Sequence, residues 1–135
     1  MASAFYNIGL EGFIASSPIN LTSDTIKARL LRVSDYTFAA THTTMSSVVT
    51  AVGTDPTLGT KALGATTDGG TFDAADAVWS AVAAGAAIDC VVIYKFVTND
   101  AGSTPIAYLD GFSVTPNGGD ITLQWAASNP FIFKI

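Results

Sequence analysis

The side chains most suited to catalysis are few. His42 is the single histidine of the chain, so a catalytic triad or a histidine general base would have to use it. It lies in a polar Thr-rich segment with no nucleophile-elbow pattern. Cys90, the single cysteine, lies in an apolar run, which favours a buried, inert thiol. One histidine and one cysteine are too few for a usual transition-metal site, so we predict structural roles for both and no cofactor.

Carboxylates are more numerous, and two groups of them deserve a chemical interpretation. Asp68, Asp73 and Asp76 occur in the segment DGGTFDAAD, but their spacing does not match an EF-hand loop and no Glu closes it. Asp110 and Asp120 flank a predicted hairpin and could approach each other as a glycosidase pair does. Because Asp is common in turns and caps, we favour a turn or cap role for Asp68, Asp76, Asp110 and Asp120, and a strand-end position for Asp73. The sequence therefore predicts no metal site and no enzymatic activity.

Two glycine-rich segments and two tryptophans remain. Asp68-Gly69-Gly70 and Asn117-Gly118-Gly119 lack the strand, loop and Lys-bearing helix of a phosphate-binding motif, so we interpret them as turns. Trp79 and Trp125 could stack on a sugar, but each lies in an alternating strand pattern. Packing in the core or in an interface is therefore favoured for both.

The elements that would position these residues centre on one apolar stretch, residues 86–96 (AAIDCVVIYKF). Both sets of alternate positions are apolar, which predicts a central strand covered on each face. Residues 105–109 are its predicted antiparallel neighbour, joined by a loop at residues 98–104. Asp110-Gly111 is predicted to turn the chain.

Elsewhere the pattern alternates between short strands and turns. Apolar residues at helical offsets predict a helix over residues 4–15 with Ser3 as N-cap. Residues 24–33 predict a strand whose wetter face carries Lys27 and Arg29. Residues 37–52 are ambiguous, and residues 53–59, which contain Asp55-Pro56, predict a loop. The remaining predicted strands are residues 60–67, 71–73, 76–82, 112–114, 120–126 and 130–135. We predict one all-β domain over residues 1–135, an antiparallel, jelly-roll-like β-sandwich with a short N-terminal helix.

Composition limits the partners. Charged residues make up 13% of the chain, about half the usual share. Either a Thr-rich β surface supplies the missing polarity, or part of the surface is buried against copies of the chain or a larger assembly. A net charge of −5 and the small basic cluster of Lys27, Arg29 and Arg32 argue against nucleic acid. No run approaches the roughly 20 apolar residues of a membrane span, and the N-terminus lacks a secretory signal pattern, which predicts cytoplasmic synthesis.

Several segments carry a resemblance to a known family. They are residues 24–27 (DTIK), 70–76 (GTFDAAD), 92–95 (VIYK), 106–108 (IAY), 114–125 (VTPNGGDITLQW) and 132–134 (IFK). With these segments the chain resembles a family of small virion proteins of tailed bacteriophages. The motif PNGGDITLQW is the most specific marker, and the likeness is weakest between Thr37 and Gly59.

The resemblance implies a non-enzymatic virion structural protein. We expect a head decoration or cement protein on the virion's head surface, made in the host cytoplasm, with the major capsid protein as partner. A capsid position would suit a homo-oligomer such as a trimer. A tail, baseplate or fibre-associated component and a carbohydrate-binding β-sandwich module are the alternatives. From apolar content we expect docking through exposed strand edges and through an N-terminal surface, whose candidate residues are Phe5, Tyr6, Ile8, Leu10, Phe13 and Ile14.

Overall fold

A computed structural model describes residues 2–67, 69–126 and 132–135. The described chain is mostly antiparallel β structure with one short α-helix, which confirms the predicted all-β class. In chain order the elements are β1 (Ala2–Phe5), α1 (Asn7–Ile14), β2 (Ile26–Leu31), a 3-10 turn (Met45–Ser47), β3 (Ala62–Thr66), β4 (Gly69–Asp73), β5 (Ala77–Trp79), β6 (Ile88–Val97), β7 (Asn99–Val114), β8 (Ile121–Leu123) and β9 (Phe133–Lys134).

The largest sheet is built on the β6–β7 hairpin and has the strand order β1-β7-β6-β2. The apolar stretch forms β6, an interior strand, and residues 105–109 pair with it antiparallel, as predicted. Apolar side chains cover both of its faces. Val91 and Ile93 belong to the main core, whereas Cys90, Val92 and Tyr94 belong to a second core on the opposite face.

The connection between these strands differs from the prediction in two places. Residues 98–104 are not an open loop, because Val97 already pairs with Asn99 across a tight hairpin in which Thr98 has φ +59°. Asp110-Gly111 does not turn the chain. Gly111 has φ +87° and lies where the β6–β7 register shifts. A glycine adopts this backbone conformation without strain, so the strand accommodates a bulge and continues to Val114.

The N-terminal helix is shorter than predicted. Ser3 is not its N-cap, because residues 2–5 pair with β7 as strand β1. Tyr6 occupies the N-cap position, and its backbone C=O accepts a hydrogen bond from Leu10 N–H at 3.1 Å. Gly9 is buried, and a Cβ placed there would lie 2.8 Å from Ile106 Cα. A glycine that weakens the helix pattern in sequence is thus required where α1 packs on β7.

Neither face of strand β2 is exposed to solvent. The predicted wetter side is wrong, because Arg29 is 7% exposed and Leu31 is fully buried. One reason is the segment of residues 52–58, which lies along β2 and whose Asp55 accepts a hydrogen bond from Arg29 Nε. Its backbone bridges the outer edge of β2 through Val52 N–H to Leu30 C=O and Leu58 N–H to Ile26 C=O. An edge covered in this way is closed to strand pairing with other chains.

Two smaller sheets, β3-β4-β9 and β5-β8, complete the fold. The alternation predicted at residues 120–126 is confirmed, since Ile121, Leu123 and Trp125 are buried while Thr122 and Gln124 are exposed. The first residues of the predicted last strand, 130 and 131, lie outside the described residues. All three sheets contribute to the main core, which includes Leu30, Phe72, Trp79, Val91, Ile106, Leu123 and Phe133.

Candidate functional site

His42 lies in a chain of hydrogen bonds that faces the second core. Tyr36 OH lies 2.8 Å from His42 Nδ1, and the hydroxyls of Tyr36 and Tyr6 are 2.7 Å apart. Burial raises the pKa of both phenols, and the hydrogen bond from Tyr36 adds to the effect at Tyr6. Both tyrosines therefore stay neutral at physiological pH, and the hydroxyl of Tyr36 bonds the ring of His42. The structural role of the histidine stays a prediction.

Cys90 belongs to the second core, together with Tyr6 and Tyr36. It is fully buried, and burial raises the pKa of its thiol to about 11. Because the thiolate is the nucleophile and metal ligand, almost none of the reactive form is present at neutral pH. The burial of Cys90 expected from sequence is confirmed, and its inertness stays a prediction.

The carboxylates bind backbone N–H groups. Asp73 Oδ1 accepts from Ala74 N–H at 2.9 Å, and Asp76 Oδ1 accepts from Trp125 N–H at 3.1 Å. Asp120 Oδ1 accepts from Ala81 N–H at 2.9 Å. Asp68, the first residue of the possible calcium loop, lies outside the described residues.

A paired-carboxylate site would need two acids on one cleft. Asp110 lies in β7 of the largest sheet, whereas Asp120 precedes β8 of the two-stranded sheet.

Within residues 2–67, 69–126 and 132–135, no three His, Cys, Asp or Glu side chains are grouped to hold a metal ion.

Neither tryptophan offers a surface for sugar stacking. Trp79 is fully buried and Trp125 is 7% exposed. The indole N–H of Trp125 donates to Ala75 C=O at 3.1 Å, which fixes the ring against the chain. Packing in the core or in an interface is the prediction for both residues, and both lie in the main core.

Sequence patterns missed the most extensive polar network, which we call the Arg29 clamp. Arg29 Nε donates to Asp55 Oδ2 at 2.8 Å, and Nη1 donates to Val48 C=O at 2.8 Å. Nη1 and Nη2 also bond the two oxygens of Asp100 at 3.1 and 2.9 Å. Tyr94 OH donates to Asp55 Oδ2 at 2.7 Å, and its ring lies 5.4 Å from the guanidinium carbon. The clamp thus ties the segment covering β2 and the β6–β7 hairpin to one strand.

The electrostatics of the clamp favour the charged pair. Burial disfavours the charge on Arg29, but the hydrogen bonds and negative charges of Asp100 and Asp55 outweigh it and raise the pKa of the guanidinium. Burial, together with the Asp55 carboxylate, raises the pKa of Tyr94. No sequence motif indicates this network, because Asp55 and Asp100 lie in segments predicted as loops. A charged residue inside a strand was the one available signal.

The three residues of the small basic cluster make separate contacts within the chain. Arg29 is buried in its clamp, and Lys27 Nζ lies 4.0 Å from the centre of the Phe96 ring. Arg32 Nε donates to Ala86 C=O at 3.0 Å.

The six candidate docking residues divide by exposure. Tyr6 is fully buried and offers no docking surface. Phe5 and Phe13 are partly buried against the main core, and Ile8 is partly buried against the second. Leu10 is 38% exposed and Ile14 is 87% exposed.

Four apolar side chains of α1 and the residues after it are exposed or half-buried. Leu10 and Ile14 are four residues apart on α1 and share a helical face. Phe13 and Ile19 line a neighbouring cavity of about 320 Å³. We call Leu10, Phe13, Ile14 and Ile19 the α1 surface. An apolar grouping of this kind on a protein exterior is typical of contacts with another macromolecule.

No family model and no curated protein matches the chain. Among the described residues, no helix combines the length and apolar character needed to cross a membrane. The function is therefore inferred from the structure and the sequence of the chain itself.

Proposed function

We propose that this chain is a structural protein of a tailed-bacteriophage virion, a capsid decoration or cement protein that binds the outer head shell. The observation that carries the proposal is the α1 surface, where Ile14 is 87% exposed, on a fold in which Cys90 is buried and His42, Asp73 and Asp76 make hydrogen bonds within the chain. The resemblance centred on PNGGDITLQW supplies the virion context.

The physical role follows from the surface and the charge. A decoration protein adds buried area across the boundaries between shell subunits, so internal genome pressure has more contacts to break. Burying Leu10 and Ile14 against the major capsid protein would remove apolar area from water. Each Å² removed would stabilise the contact by about 25 cal/mol. The net charge of −5 suits binding to a protein shell and disfavours binding to the packaged DNA.

Copy number in purified virions tests the location. A decoration protein is expected in numbers comparable to the major capsid protein, whereas far fewer copies would favour the tail, baseplate or fibre alternative. The carbohydrate-binding alternative required an exposed tryptophan, and both are buried. Complete absence from purified particles would overturn the proposal.

Rebinding tests the surface. Purified chain should bind particles from a phage that lacks it and raise the temperature at which they release DNA. Ile14→Lys should weaken this binding because it places a charge in the apolar contact. Val78→Lys, at a 44% exposed valine in β5, is the matched control and should bind normally. Equal binding by both variants would exclude the α1 surface as the docking site.

A further inference from the structure

Strand β3 ends the three-stranded sheet and presents an unusual edge. Its residues, ALGAT, carry no charge, and all but Thr66 are exposed. Within the described chain, β4 is its strand partner, on one side only. Natural proteins usually protect such an edge with charge, proline or a covering segment, as the segment over β2 does here.

The hydrogen bonds of β4 show which backbone groups of β3 face outward. Gly70 exchanges both of its backbone hydrogen bonds with Ile135, and Phe72 C=O accepts from Ile132 N–H. Both residues therefore direct their backbone groups away from β3. Their cross-strand partners are Ala65 and Leu63. In an antiparallel pair the bonding direction alternates along the strand, so the N–H and C=O groups of Leu63 and Ala65 point to the open edge.

We propose that this edge binds a second copy of the same chain, by antiparallel pairing of β3 with β3 about a two-fold axis at Gly64. In this register Leu63 lies opposite Ala65 of the second copy, and Ala65 lies opposite its Leu63. Each pair exchanges two N–H···O bonds, so every outward-facing group of these residues gains a partner. The two three-stranded sheets then form one continuous sheet.

Side chains support the second copy as the occupant. Leu63 is 59% exposed and lines an apolar cavity of about 170 Å³ with Phe72, Phe133 and Ile135. The pairing places Ala65 of the second copy directly beside Leu63, and the second Leu63 diagonally within reach. The exposed side chain is thus covered by its own counterpart.

Charge also permits the pairing. Each chain carries a net charge of −5, which opposes most self-contacts. The β3 edge is neutral, and the nearest charged residue before it, Lys61, is part of an internal contact with Asp24 C=O. Antiparallel pairing directs the two Lys61 residues to opposite ends of the joined strands, so like charges do not meet.

Two-fold pairing closes on itself. The edge therefore favours pairs over the trimer expected for a capsid position. The inference rests on β3 alone and does not require the virion function.

Sedimentation velocity of the purified full chain over a wide concentration range tests the proposal. The wild type should show a reversible monomer–dimer equilibrium. Leu63→Lys puts charges beside the axis, and Ala65→Pro removes an outward N–H that makes no bond to β4. Proline is tolerated in an edge strand at such a position. Each variant should weaken dimerisation at least tenfold, while Val78→Lys and Ile14→Lys should dimerise like the wild type.

Near-UV circular dichroism of every variant verifies folding. If Ala65→Pro does not fold, Leu63→Lys alone decides the outcome, because its side chain is exposed in the monomer. A wild-type chain that stays monomeric at its highest soluble concentration would overturn the proposal. So would a Leu63→Lys variant that dimerises as tightly as the wild type. Leu63 also lines the cavity beside Phe13 and Ile19, so shell binding is compared in Ala65→Pro, where loss of dimerisation with intact shell binding would separate this inference from the proposed function.

Discussion

Replacing Arg29 by methionine tests the Arg29 clamp most severely. Methionine keeps an unbranched stem in the buried site but removes every donor of the guanidinium. The Asp55 carboxylate, whose side chain is 10% exposed, loses its ion-pair partner, and Val48 C=O loses its bond at 2.8 Å. Breaking a buried pair from one side costs about 3–5 kcal/mol because the remaining charge is left without compensation. We expect Arg29→Met to lower the free energy of unfolding by about that amount.

Two matched variants show whether burial determines how much the free energy of unfolding falls. Asp100 is half exposed, so Asp100→Asn should cost about 1 kcal/mol or less. Lys27→Met, also in β2, removes a cation over the Phe96 ring and should cost about 0.5–1 kcal/mol.

Urea unfolding followed by circular dichroism gives these free energies. The double variant Arg29→Met/Asp55→Asn should recover part of the loss, because the unpaired charge is gone. If Arg29→Met costs no more than Lys27→Met, the clamp does not hold the covering segment to the sheet.

Three further predictions concern the cores. Burial raises the pKa of all four tyrosines and of Cys90, so the stability gained by keeping these groups neutral should be complete at neutral pH and fall as the pH rises above about 9–10. Ultraviolet titration should then show phenolate appearing together with unfolding, and free titration of the tyrosines near pH 10 in the folded state would contradict this. Acrylamide should quench Trp79 and Trp125 slowly, and fast quenching of either would place an indole at the surface. Gly9→Ala should destabilise the protein by about 1–3 kcal/mol, because its Cβ would meet the β7 backbone at 2.8 Å. Gly59→Ala, where a Cβ meets nothing within 4 Å, should be near neutral, and equal thermal stability of the two variants would refute the close packing of α1.

The parts of the fold that could be predicted well from sequence are strands with a clear pattern of apolar residues. The strand at residues 120–126 follows from apolar residues at every second position, and β6 follows from apolar residues at both sets of alternate positions. The errors arose where long-range contacts override local pattern. Gly111 follows an Asp, as in many turns, yet neighbouring β6 continues past it and holds it in the sheet. Ser3 has a good N-cap side chain, but pairing with β7 satisfies its backbone instead.

The polar network was beyond sequence reasoning for a similar reason. Arg29 and Asp100 are 71 positions apart, and neither stands in a motif. Their partnership depends on the β6–β7 hairpin folding over the end of β2. The burial of Cys90, by contrast, could be predicted, because the residue lies in an apolar run that forms an interior strand.

Cryo-electron microscopy of the purified virion is the most direct test of function. We predict repeated density on the outer head that fits this β fold, with α1 against the major capsid protein. A head surface without that density, in particles whose protein content lacks this chain, would contradict the assignment.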